Sequence, residues 1–136
     1  MKFFFDANMS PLLARGMKVL SEAEDVDEVI HLHDLFPRNS KDTHWIGELS
    51  KTGGWCIVSN DGFKKQHRAE SEALRRGGHL VFVLAPEWSG QSYWSKAAHL
   101  VAWWPQILQT AKLVSEGIFS VPFKHRTGAA FKQIKM

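Results

Sequence analysis

Residues 55–85 read WCIVSNDGFKKQHRAESEALRRGGHLVFVLA. Two apolar runs, WCIVS (55–59) and HLVFVLA (79–85), flank a polar, helix-like segment over 62–76 that Gly77 and Gly78 stop. Each run is apolar throughout, the pattern of a strand covered on both faces. Working outward, the same alternation continues. On the N-terminal side, KFFF (2–5) reads as a strand, and Ser10-Pro11 opens a helix with Leu12, Leu13, Met17 and Leu20 at helical spacing. VIHL (29–32) is the next strand, followed by the loop DLFPRN and a helix capped by Ser40, with Ile46 and Leu49 inward and Gly53-Gly54 at its end. Alternating strands and helices imply an α/β fold with a mostly parallel central sheet and helices on both faces.

On the C-terminal side, Trp94, Ala97, Ala98, Val101, Trp104, Leu108 and Ala111 recur at intervals of three or four within 89–114, which predicts an amphipathic helix with its Trp stripe in the core. Pro105 is expected to kink or split it. GIFSVPF (117–123) reads as an edge strand, because Pro122 cannot donate to a sheet ladder. The basic stretch 124–136 reads as a loose tail. With no internal repeat and no interdomain linker, residues 1–123 are expected to form a single domain.

Length and composition agree with that expectation. A chain of 136 residues, 44% of them hydrophobic and 23% charged, can sustain a core without metal or disulfide staples. The lone Cys56 lies in the apolar run WCIV and reads as a buried structural thiol, consistent with a reducing, cytoplasmic setting. MKFFF meets Asp6 too soon for the apolar core of a signal peptide, and no stretch approaches the ~20 apolar residues of a membrane span, so no membrane partner is expected. The net charge of +3 is unevenly spread: residues 1–61 hold 6 Lys and Arg against 10 Asp and Glu, and residues 62–136 hold 11 against 4. An acidic half suited to a cation meets a basic half suited to a polyanion such as nucleic acid.

Parallel α/β sheets bind ligands outside the carboxyl ends of their strands. There the sequence places acids: FFF leads into Asp6, VIHLH into Asp34 and WCIVSN into Asp61. Neighbouring strands lie about 4.8 Å apart, so carboxylates at equivalent ends repel one another unless a cation joins them. Hard oxygen ligands suit Mg²⁺ or Mn²⁺. Asp42, at the start of the helix after the second strand, points toward the same edge, a position the helix macrodipole also favours for an acid. His31 and His33 alternate along one strand, but no further His or Cys has the spacing of a structural zinc site, and satisfied histidines are the simpler reading. No nucleophile elbow supports a Ser-His-Asp triad.

The order FFFDAN, KDTHWIGEL, IVSNDGF resembles the small single-domain PIN-like proteins over residues 1–85, with DANMSP (6–11) and SND followed by Phe63 as its strongest anchors. The resemblance implies a three-layer α/β/α sandwich and a metal-dependent endoribonuclease, as in VapC-type toxins that cut RNA and are silenced by an antitoxin. Carried over by position, it makes Asp6, Asp42 and Asp61 catalytic metal ligands for Mg²⁺ or Mn²⁺; Asp34, from its place after a strand alone, is a weaker further ligand. Ser59 orients the Asp6 carboxylate, and Asn8 supports the site. Lys64, Lys65, Arg68, Arg75 and Arg76, just beyond Asp61, are expected to hold an RNA backbone. The partners expected are RNA, an antitoxin protein and a second copy of the chain. The chain departs from the family pattern in two places: Gly62, Lys64 and Lys65 stand where a fourth acid usually follows, and Ala7 stands where Glu often does. A PIN-like module that binds RNA or protein without catalysis is therefore the alternative, and a phosphatase or receiver-like doubly wound protein a distant third.

Overall fold

The computed structural model describes residues 1–38, 40–60, 72–74 and 76–134, with the side chains of Asp42 and Thr43 outside the description. Its strands are β1 (Lys2–Phe5), β2 (Glu28–His31), β3 (Trp55–Ser59), β4 (Leu80–Leu84), β5 (Gly117–Val121) and β6 (Lys132–Gln133). They form one sheet in the order β2-β1-β3-β4-β5-β6. β1 to β5 pair in parallel and β6 joins β5 antiparallel. The helices are α1 (Pro11–Leu20), the short α2 (Leu32–Leu35), α3 (Asp42–Thr52) and α4 (Tyr93–Leu113), with a 3₁₀ turn over Pro86–Gly90. Residues 72–74 and 76 are also helical, and no helix among the described residues is long and apolar enough to cross a membrane.

Side-chain alternation along the strands sorts the core into two layers. Phe3, Phe5, Cys56, Val58, Phe82 and Leu84 face α1 and α4, where Leu13, Met17, Leu100, Trp103 and Ile107 meet them. Phe4, Ile57, Val81 and Val83 face the other way, onto Trp45, Ile46 and Leu49 of α3 and onto Leu74. Phe4 stacks on Trp45 with ring centroids 5.0 Å apart. The central strands are apolar on both faces because each face is covered, the three-layer α/β/α arrangement the sequence implied.

Several local expectations are corrected. The Trp stripe of α4 is rotated: Leu100, Trp103, Trp104, Ile107 and Leu108 are buried, whereas Trp94 is 78% and Val101 47% exposed. Leu12 and Leu20 of α1 are likewise exposed, and Leu13, Ala14 and Met17 carry its buried face. Pro105 does not split α4. The carbonyl it orphans belongs to the exposed Val101, where water can reach, and Trp103, Trp104 and Ile107 hold the helix on the sheet. β5 is not an edge strand, for Pro122 falls one residue past its end and costs the ladder nothing. The stretch after it is not loose either, because β6 and the Ile134 N–H, which donates to the Ile118 carbonyl at 2.7 Å, tie it back. Phe131 then packs on Trp103 and Phe82, at 5.2 and 5.9 Å between ring centroids. Ser40 is not the cap of α3. Its N–H closes a turn onto the Pro37 carbonyl, and Lys41 takes the cap position, leaving Asp42 as the first helical residue.

Candidate active site at the carboxyl edge of the sheet

Asp6 follows the last residue of β1, and its N–H extends the ladder by donating to the Val58 carbonyl at 3.0 Å. The side chain is buried, 5% exposed. A buried carboxylate needs donors or a cation to replace its lost hydration. Ser59, the last residue of the neighbouring β3, donates its hydroxyl to Asp6 Oδ2 at 2.6 Å. The Asn8 amide, turned so that its nitrogen faces the carboxylate, donates to Oδ1 at 3.0 Å and to Oδ2 at 3.2 Å. Both supporting residues named from the sequence therefore touch Asp6, and a charge-assisted bond as short as that from Ser59 fixes the carboxylate's orientation.

The second and third acids are placed by topology. β1, β2 and β3 run parallel, so the connection entering α3 lies at their carboxyl edge, and Asp42 begins that helix. Asp6 and Ser59 share a face of the sheet with Phe4 and Ile57, the face that α3 covers. Asp61, two residues beyond the end of β3 in the chain, lies outside the described residues, as do Lys64, Lys65, Arg68 and Arg75. Arg76 is described: it is exposed and pairs with Glu72 at 3.7 Å, one helical turn away.

Asp34 is not a strand-end residue. β2 stops at His31, and Asp34 sits inside α2, where its Oδ2 accepts the His31 N–H at 2.9 Å. His31 is satisfied on both ring nitrogens: Nδ1 accepts from the His33 N–H at 3.1 Å, and Nε2 reaches the Met9 carbonyl at 2.7 Å. It anchors the loop that carries Asp6 and Asn8 onto β2, leaving neither nitrogen for zinc. Burial pushes the Cys56 thiol up to about 11, so it is inert as a nucleophile at neutral pH.

Among the described residues no three His, Cys, Asp or Glu side chains form a metal cage. What they supply is one buried, oriented carboxylate, Asp6, of the hard-oxygen type that Mg²⁺ and Mn²⁺ prefer, at the edge where α3 begins with Asp42. That donor chemistry suits a divalent cation at Asp6; the Asp42 side chain and Asp61 lie outside the described residues.

Sequence reasoning missed a neighbour of this edge. Beyond β3 the chain continues to alternate, so Asn60 turns away from Ser59 toward the α1 and α4 face. It lines there a cavity of about 320 Å³ together with Asn8, Trp88, Tyr93, Lys96 and Leu100. Period-two alternation carried past the strand end was the available signal for Asn60. Lys96 and Tyr93 gave none, since their nearness to Asn60 depends on how α4 lies across the sheet.

A family model described as a PIN like domain matches residues 1–86. The chain belongs to the PIN-like family, whose members are commonly nucleases and typically use divalent metals. No curated protein and no solved structure matches the chain.

Proposed function

We propose that the protein is a Mg²⁺- or Mn²⁺-dependent endoribonuclease, and more finely the toxin half of a toxin and antitoxin pair. The observation that carries the catalytic reading is Asp6, a buried carboxylate at the end of a central strand whose orientation is fixed by Ser59 and Asn8. Asp6, Asp42 and Asp61 would hold the cation. When bound, the cation supplies an activated water and stabilises charge developing on a phosphodiester. Ser59 and Asn8 keep the Asp6 carboxylate fixed, so little reorganisation accompanies the reaction. Lys64, Lys65, Arg68, Arg75 and Arg76 would hold the RNA backbone beside the acids.

Cleavage of single-stranded RNA in Mn²⁺ and in EDTA tests this reading. Asp6→Asn and Asp61→Asn should each abolish the Mn²⁺-dependent cut while leaving the fold intact, because charge is removed at nearly constant shape. Unchanged cleavage by either variant would remove that acid from the site. The thinner acid set, with Gly62, Lys64 and Lys65 in place of a fourth acid, favours a second reading, an RNA-binding PIN-like module without catalysis. RNA bound but left uncut in Mn²⁺ would select it. The toxin assignment predicts a small open reading frame beside the gene whose product binds this chain and stops cleavage.

A further inference from the structure

The cavity beside Asn60 is joined to Asp6 through Asn8, which both lines it and bonds the Asp6 carboxylate. Its volume of about 320 Å³ falls at the lower end of small-molecule sites, roughly 300 to 1,000 Å³, large enough for one nucleoside. Asn60 Oδ1 is buried at this site without a hydrogen-bond partner among the described residues. An orphan acceptor is costly, and a ligand N–H removes the cost. Lys96 lines the same cavity and forms no ion pair among the described residues, so its lining carries one positively charged side chain. Tyr93, 40% exposed, stands at the rim, with the exposed Trp94 ring edge-on to it at 5.3 Å. Buried acceptor, aromatic plane and cation are the complement of a base and its phosphate.

We propose that this cavity is a nucleobase subsite that takes one base of a single-stranded RNA, next to the phosphate held at the acids. Asn60 reads an N–H edge of the base, Tyr93 stacks on its face, and Lys96 holds the phosphate of the same nucleotide. The assignment rests on the RNA-directed reading above, but it is tested without metal and without cleavage. Titrations of the full chain in EDTA with 5′-AMP, 5′-CMP and ribose 5-phosphate separate base recognition from phosphate attraction. The two nucleotides should bind at least about tenfold tighter than ribose 5-phosphate, since stacking contributes that much. Tyr93→Ala and Lys96→Ala, both on the outer part of α4, should each weaken nucleotide binding about tenfold. Asn60→Ala should weaken it too while not lowering the melting temperature of the free protein, because it removes an unpaired buried acceptor. Equal affinity for ribose 5-phosphate and nucleotides, or unchanged affinity in the Tyr93 and Lys96 variants, would overturn the subsite. If nucleotides bind here but RNA is never cut in Mn²⁺, the nuclease reading falls and the subsite stands. If RNA is cut with the same KM by wild type and the Tyr93 and Lys96 variants, the subsite falls and the nuclease reading stands.

Discussion

At the scale of single residues, hydrogen-bond accounting separates structural groups from chemical ones. His31 has both nitrogens committed within the fold, whereas His79 does not. Ser50 donates its hydroxyl to the Ile46 carbonyl, so the contact between Ser50 Oγ and His79 Nε2 at 3.0 Å requires the proton on Nε2. His79 Nδ1 is then a buried acceptor without a partner among the described residues. Burial, with the charge of Lys2 as a lesser cause, holds the imidazole below its usual pKa of 6.5. Because the folded state refuses a proton that the unfolded state accepts below pH 6.5, this residue's contribution is intact above that value and is lost as pH falls beneath it. The unfolding free energy from urea titrations between pH 7.5 and 5 should fall on acidification by at most about 1.4 kcal/mol per pH unit from this group. His79→Gln should flatten that slope, and an equal slope in the variant would show that other groups carry the acid sensitivity.

At the scale of elements, α4 shows how packing overrides local rules. It runs through Pro105, which is exposed and leaves the exposed Val101 carbonyl without its intrahelical donor. Replacing Pro105 with Ala restores that bond and removes no buried contact. Proline inside a helix costs about 3 kcal/mol relative to alanine, and the freer unfolded chain gives back about 0.4 to 1 kcal/mol. Pro105→Ala should therefore raise the unfolding free energy by about 2 kcal/mol, read from chemical denaturation. A decrease would mean that the proline ring fixes the path of the helix against β4. The loop from β1 to α1 illustrates the opposite case, in which local rules suffice. Ser10 caps the Leu12 N–H at 3.1 Å and Pro11 starts the helix, as their order in the chain dictates.

For the whole molecule, the decisive property is the placement of charge. Asp6 and the start of α3 at Asp42 lie at the carboxyl edge of the sheet, and in the chain a run of basic residues opens with Lys64 and Lys65 shortly after Asp61. If Lys64 and Lys65 line the route of RNA to that edge, each neutralised phosphate contributes about −0.7 to the log–log salt dependence for a single strand. Replacing both with Ala should reduce the slope by about 1 to 1.5 in anisotropy titrations of single-stranded RNA. Identical slopes would assign these lysines to a protein partner, since charges remote from the RNA act only through a field screened within about 10 Å.

The order of strands and helices, the burial of β3 and β4 and the positions of Asp6 and Ser59 at or just past strand ends were all readable from the chain. They depend on composition within a few residues: an uninterrupted apolar run requires cover on both faces, and the first polar residue after it marks the edge. The contact from Ser59 to Asp6 was expected from family position, and the parallel pairing of β1 with β3 then realised it. Tertiary structure alone decided which row of α4 meets the sheet. Apolar residues surround that helix on more than one side, so Trp94 and Trp104 look alike until β1 and α1 select Trp104, whose indole N–H donates to Ser21 at 2.9 Å. It also decided that β5 lies inside the sheet, because β6 pairs with it across a loop that carries no strand signal. Finally it built the cavity beside Asp6. Asn8, Asn60 and Lys96 are far apart in sequence, and only the packing of α4 across the ends of β3 and β4 brings an orphan acceptor and a cation to the same space.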